Sequence, residues 1–387
     1  MNEITYTDNT LITDFEVIET DAQTAAQDTG DTNTPYPYDP MKTDIDIKQE
    51  QFSIYDYVQQ YKKGRLIIDP DFQRNLVWKS DKKSQFIESI ILNFPLPPLY
   101  VLQQRDNTLV VVDGLQRTTT LIGFLDNIKG FALTGLKKLH QLNGNTFSDL
   151  PSAYQARIQS KKILLYILKP SIPIEVVYDL FDRINTGGTS LNRQEVRNAV
   201  FNGKATQLLK KMSEQDYFKK AIDNSVSPTR MKDREVILRY LAFKIFDYQD
   251  DYQGNMSDFL EKTMRKINLM TYEDIQLLEN DFNRIMDITY DFFGDKNFRI
   301  PVYDAKGNKS RGSINIAVFE SIAYFFSLNT NEWLCAHKDK IIENFTILIN
   351  SEEYIYAVKS STNNTLRVLT RFKMAQKTLG LVNDSPF

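Results

Sequence analysis

The chain has 387 residues, with 47 Lys and Arg against 50 Asp and Glu, a net charge of −3, one cysteine and two histidines. Its 42% hydrophobic content fits a globular chain of two ordinary domains, and no apolar run reaches the length of a membrane span. Cys335 alone excludes an internal disulfide framework and suits a reducing, cytoplasmic setting; His140 and His337, with no second Cys or His at ligand spacing, exclude a zinc site of the usual kind.

The charge is unevenly placed. Residues 1–46 hold eleven carboxylates against Lys42, a local charge of −10, so the remainder carries +7. Residues 1–45 also contain Pro35, Pro37 and Pro40 and lack periodicity, which predicts a disordered acidic tail. Such a tail is a solubilising leader or a mimic of DNA that covers a basic groove. The N-terminus is polar and acidic, unlike a secretory signal.

Order is expected from about residue 46. Ser53 is placed to cap a helix running to about residue 62, with Ile54, Tyr57, Val58 and Tyr61 on one face. A short strand at 66–68 leads into the Pro70 turn and Phe72-Gln73-Arg74. Ser80 is expected to cap a second helix that turns Phe86, Ile87, Ile90 and Ile91 inward and ends by Phe94-Pro95. Residues 99–102 and 109–112 read as a hairpin around Asp106-Asn107. A further strand is expected over 163–168, a helix from Pro173 to the Asn185-Thr186-Gly187-Gly188 stop, and a short helix over 192–201. Beyond residue 205 the pattern is helical almost throughout, over 205–222, 232–248, 255–267, 272–293, 313–328, 331–350 and 362–379, with a loop at 304–311. These elements predict an α+β fold: a small mixed-sheet domain over 46–204, then an all-helical domain over 205–387.

The richest chemistry lies where the β-branched run 108–113 turns through Gly114 into a helix. Such a turn presents backbone N–H groups at a helix N-terminus, where a phosphate can sit. Arg117 and Arg74 each offer a planar fork for phosphate, and Asp113 at the strand end suits Mg²⁺, which takes few protein carboxylates. Thr118 and Thr119 fall in the first helical turn, where hydroxyls are expected to point outward, and Gly187-Gly188 permits close backbone approach. Each feature also has a plain structural account. Asp113 can simply cap the helix with Arg117 paired to a neighbouring carboxylate, and the Gly pair can simply end a helix.

Taken in order, Ile68-Asp-Pro-Asp-Phe-Gln73-Arg74-Asn-Leu-Val-Trp78, Phe86-Ile-Glu-Ser-Ile90, Asp113-Gly-Leu-Gln-Arg117-Thr-Thr-Thr-Leu121, Phe181-Asp-Arg183-Ile-Asn185 and Glu195-Val-Arg197-Asn198 resemble the N-terminal domain family of GmrSD-type restriction endonucleases. The resemblance covers roughly residues 50–205 and implies a ParB/sulfiredoxin-like fold. It also implies nucleoside triphosphate binding, with hydrolysis, in a prokaryotic system that restricts foreign DNA. On that basis Asp113 holds metal or activates water, Arg117 stabilises phosphate charge, and Gln116 orients the nucleotide or the attacking water. Gln73 and Arg74, with Gly114, Thr118 and Thr119, complete the pocket, and Arg183 and Asn185 line its rim. Where the family signature reads Asp-Gly-Gln-Gln-Arg, this chain has Leu115, which removes one amide.

Many such proteins also carry a histidine-metal nuclease domain; His337 has no partner histidine nearby in the sequence, so any cleavage of DNA would fall to the first domain or to a separate subunit. DNA is the implied partner, and Lys82, Lys83, Arg193, Arg197, Lys210, Lys211, Lys219 and Lys220 are candidates for a phosphate-tracking face. Two other functions remain open: a non-catalytic, nucleotide-gated DNA-binding or regulatory module, and a nuclease with Asp69, Asp71 and Asp113 around Mg²⁺.

Overall fold

The computed structural model describes residues 45–68, 78–184, 192–303, 309–359 and 361–380. Almost all of the acidic tail, together with Asp69, Asp71, Gln73, Arg74, Asn185, Gly187 and Gly188, lies outside them. The described chain is α+β. It forms two compact units that divide between Asn202 and Gly203.

The first unit is built on a five-stranded mixed sheet in the order β1-β5-β3-β4-β2. Its strands are β1 (Ile47–Ser53), β2 (Leu66–Ile67), β3 (Leu99–Gln103), β4 (Leu109–Asp113) and β5 (Lys162–Leu168). β1 runs antiparallel to β5 and β3 antiparallel to β4, while β3–β5 and β2–β4 are parallel. Four helices belong to the same core: α1 (Ile54–Lys62), α2 (Ser80–Ile91), α3 (Leu115–Leu125) and α4 (Ser152–Ser160). The core joins Ile54, Tyr57 and Val58 of α1, Ile87 and Ile90 of α2, Leu121 and Phe124 of α3 and Ile158 of α4 to one face of the sheet, represented by Leu99, Val101, Ile163, Leu165 and Ile167. Leu168, Leu102 and Val110 share the opposite face in one register row, and all three are buried. α5 (Ile174–Ile184) and α6 (Arg193–Val200) follow β5; α6 packs on β4, with Gln104 Nε2 donating to the Ala199 carbonyl at 3.1 Å.

Local sequence accounts for these elements. Ser53 caps α1 by accepting from the Asp56 N–H at 3.0 Å. α2 starts as expected, but its cap is Lys79, without a side-chain bond; the Ser84 hydroxyl donates to the Ser80 carbonyl instead. The β3–β4 hairpin turns where Asp106 accepts from both the N–H and the hydroxyl of Thr108 and Asn107 takes a left-handed φ of 65°. α6 begins with a reciprocal capping box between Asn192 and Glu195.

The second unit is mainly helical. Its helices are α7 (Lys204–Glu214), α8 (Asp216–Ala221), α9 (Lys232–Ile245), α10 (Met256–Leu269), α11 (Tyr272–Phe293), α12 (Ile316–Ser327), α13 (Asn331–Ala336), α14 (Lys338–Leu348), α15 (Glu352–Lys359) and α16 (Thr365–Leu379). A two-stranded ribbon of β6 (Val302–Tyr303) and β7 (Lys309–Ser310) interrupts them where a loop was expected. α9 is buried on all sides, from Asp233 through Phe243, and forms the spine of the unit. It carries Arg239, which reaches Glu320 of α12 at 3.3 Å and Asn363 at 3.0 Å; Arg371 of α16 grips the other Glu320 oxygen at 2.5 Å.

Candidate functional site

The site begins with a break in strand pairing. Val101 of β3 lies opposite Val111, yet Tyr100 lies opposite Asp113, so β4 holds one extra residue, Val112, at this point. A bulge re-aims the side chains on either side of it. Here it places Asp113 beside Tyr100, at the last position of the strand.

Gly114 then turns the chain into α3 with φ +91° and ψ 17°. A Cβ there would stand 2.1 Å from Leu99 Cδ2 and 3.1 Å from Arg117 Nη2. Both the backbone conformation and the close approach therefore require glycine. Gly114, not Asp113, is the helix cap, and its carbonyl accepts the Thr118 N–H at 2.8 Å.

One turn later Arg117 folds back over this glycine. Its Nη2 donates to Asp113 Oδ2 at 3.0 Å and its Nη1 to the Pro97 carbonyl on the approach to β3. Burial pulls the guanidinium pKa down, while Asp113, Tyr57 and Tyr100 push it back up. An arginine stays charged under these opposing effects. The plain account of Arg117 is thus met in part: its carboxylate partner is Asp113 itself.

Gln116 accepts from the Trp78 backbone N–H at 3.4 Å. That contact brings the chain just beyond Gln73 and Arg74 to the glycine turn, although those two residues lie outside the described ones. Trp78 packs edge-on against Phe86, with Lys82 Nζ 5.0 Å from its ring centre.

The threonines depart from expectation. Thr118 is fully buried, and its hydroxyl meets Tyr57 Oη at 3.0 Å inside the core. Thr119 Oγ1 donates back to the Leu115 carbonyl at 2.9 Å. Position in the first turn fixed the backbone of these residues but not the side-chain direction: a β-branched hydroxyl facing the sheet finds a core partner, and one facing the helix back-bonds. Thr118 supports the turn from below and does not point into the site. Arg183, in the last turn of α5, is exposed.

The basic residues are also more dispersed than one tracking face would need. Arg197 is fully buried, with Nη1 on Gln194 Oε1 at 2.7 Å. Lys211 pairs with Glu279 at 2.7 Å, and Arg193 lies over the Tyr178 ring.

Four contributors were not anticipated. The Pro97 carbonyl carries no side-chain signal. Tyr57 sits on the apolar stripe of α1, where its ring reads as core; its buried hydroxyl, which needed a partner, was the available clue. Tyr100 and Tyr166 lie on adjacent parallel strands in register and stack with centroids 5.0 Å apart at 24°.

Residues 54–202 match the family described as GmrSD restriction endonuclease, N-terminal domain. This segment is a GmrSD-type N-terminal domain. The match starts at the first residue of α1 and ends at the boundary between the two units. The GmrSD-type domain thus contains the bulge, the glycine turn and the Asp113–Arg117 pair, and its family points to a component of a restriction or defence system. No curated protein and no solved structure matches the chain. Among the described residues, no helix is long and apolar enough to cross a membrane.

Proposed function

We propose that the GmrSD-type domain binds a nucleoside triphosphate at the glycine turn and hydrolyses it within a DNA-restriction or anti-phage system. The observation that carries this reading is the fixed pair at a helix start: Asp113 and Arg117, 3.0 Å apart, joined across a glycine that admits no side chain. The first N–H groups of α3 have no partner within the helix, and they give the end of α3 a partial positive charge. Arg117 lies in that same first turn, so a phosphate at this end would meet a guanidinium and backbone donors together.

Arg117 engages Oδ2 of Asp113, and Oδ1 is the atom that would hold Mg²⁺. One carboxylate at a strand end fits an ion that keeps most of its waters. When bound, Mg²⁺ supplies charge neutralisation to the phosphates. The protein's own part is to orient and to stabilise charge. Arg117 is held in place by Pro97 before ligand arrives, Gln116 holds the Trp78 backbone through its amide oxygen, and Gln73 and Arg74, which precede Trp78 in the sequence, are the candidates to complete the nucleotide contacts. Thr118 acts indirectly, by fixing α3 to α1 through Tyr57.

The same ion pair favours a second reading. Asp113 is already neutralised by Arg117, so the domain would bind nucleotide without turning it over and would gate DNA or a separate nuclease subunit.

Phosphate release from ATP, GTP, CTP and UTP with Mg²⁺, with and without DNA, separates the two readings. Turnover abolished by both Asp113→Ala and Arg117→Ala establishes the hydrolase. Binding without turnover, lost in Arg117→Ala, establishes the gated module. Neither binding nor turnover overturns both.

A further inference from the structure

The register row that places Asp113 beside Tyr100 continues through Tyr166 to Gln49, across four strands of the sheet. Asp113, Tyr100 and Tyr166 share the sheet face whose neighbouring row, Leu168, Leu102 and Val110, is buried. The two tyrosines are only half-buried, so cover over this face thins at the row that carries the ion pair. Their rings stack on one another, 24° from parallel with centroids 5.0 Å apart, so each covers one face of the other and has a flat outer face on the side away from its partner. Burial raises the Tyr100 hydroxyl above its usual range, Tyr166 and Asp113 push the same way, and Arg117 opposes them, which places the ring in the electrostatic reach of the pair.

We propose that Tyr100 and Tyr166 form the platform on which the base of the nucleoside triphosphate stacks. The proposal rests on the reading of the glycine turn as a triphosphate site. A flat aromatic face attracts any nucleobase, and such stacking tolerates changes of base because every base has a π-face. The arrangement divides the ligand in two. The phosphates are taken by Arg117 and the start of α3, and the base by the sheet surface next to them. A paired stack also suits this task better than a single ring, because each tyrosine holds the other's orientation before ligand arrives. The competing account is that the pair only stabilises the sheet, as cross-strand aromatic pairs do.

Calorimetric titration with ATP, GTP and inorganic tripolyphosphate, each with Mg²⁺, distinguishes these accounts. Tyr166→Leu and Tyr100→Leu are expected to weaken nucleotide binding about tenfold and to leave tripolyphosphate binding unchanged. Tyr166→Phe is expected to retain both. Equal effects on the two ligands, or no effect on either, overturn the platform while leaving the phosphate site standing. Equal affinity of the unaltered protein for nucleotide and tripolyphosphate does the same. Arg117→Ala should abolish binding of both ligands; if it changes neither, or if the unaltered protein binds neither, the phosphate site falls and the platform with it. Tyr166→Trp covers the case in which a leucine variant fails to fold. It keeps a flat ring, and its emission is expected to be quenched by nucleotide but not by tripolyphosphate; absence of that selective quenching overturns the proposal.

Discussion

Each unit of this protein clamps an arginine on a carboxylate, and the two clamps differ in their access to water. In the helical unit Glu320 lies between Arg239 and Arg371, with side chains 1%, 4% and 0% exposed. In the sheet unit Asp113 and Arg117 keep 27% and 14% of their side-chain surface. The Glu320 network is enclosed by helices and bonded to Asn363 and the Thr362 carbonyl, so its charges are answered within the protein. The Asp113–Arg117 pair has a solvent side and stands at a helix start. Similar chemistry serves fold definition in one place and is available to a ligand in the other.

The sharpest way to break this comparison is to remove the shared carboxylate of the enclosed network. Glu320→Ala would leave Arg371 buried without its carboxylate and Arg239 with Glu235 as its remaining carboxylate, at 3.5 Å, at a cost of about 3–5 kcal/mol. Guanidinium denaturation should show that loss in the helical unit; a cost as small as that of a surface substitution would contradict a structural role. Gly114→Ala comes next. The positive φ and the 2.1 Å approach to Leu99 predict a loss of about 2–3 kcal/mol together with loss of ligand binding. Pairing it with Leu99→Ala relieves the contact but not the φ, so thermal denaturation of the double variant separates those two causes.

Asp113→Asn should behave in the opposite way to Glu320→Ala. Its partner is partly hydrated, so stability should move by no more than about 1 kcal/mol while phosphate release is lost. A large loss of stability there would erase the contrast between the clamps. The smallest effect is expected at Tyr57→Phe, which leaves Thr118 without its buried partner at a cost of about 1 kcal/mol. Burial holds the Tyr57 proton well above its ordinary pKa of 10.0, against the opposing influence of Thr118 and Arg117. The unfolded chain gives up that proton near pH 10 and the folded chain does not. This contribution is intact below about pH 10 and declines as pH rises further. Stability measured from pH 8 to 11 should fall less steeply in Tyr57→Phe.

How much of this was legible in the sequence depended on whether a segment's pattern was set locally. The hairpin was legible because β-branched runs flank an Asp-Asn turn, and α11 was legible because a Thr271 cap and a helical stripe agree over Tyr272–Phe293. β1 was missed because it is an edge strand whose Lys48, Gln49 and Gln51 are exposed, so alternation is faint. The expected helices over 205–222 and 331–350 are each split, at Gln215 and His337, where the backbone leaves helical geometry within a continuous apolar pattern. The turn at Gly114 was legible as a motif because a strand, a glycine and a polar helix start follow one another. The bulge, the grip of Arg117 on Pro97 and the inward turn of Thr118 were not, since each depends on a partner far along the chain.

The extra residue on β4 also makes the strand a ruler. Between the turn at Asn107 and the glycine at 114, each added or deleted residue would carry Asp113 to the opposite side of the sheet, away from Tyr100. The hairpin tip, by contrast, lies outside the measured length, and exchange there has to keep only the turn, with a residue suited to the left-handed φ of 65° at Asn107. A single codon lost between 109 and 112, however, would disarm the site and leave most of the sheet intact.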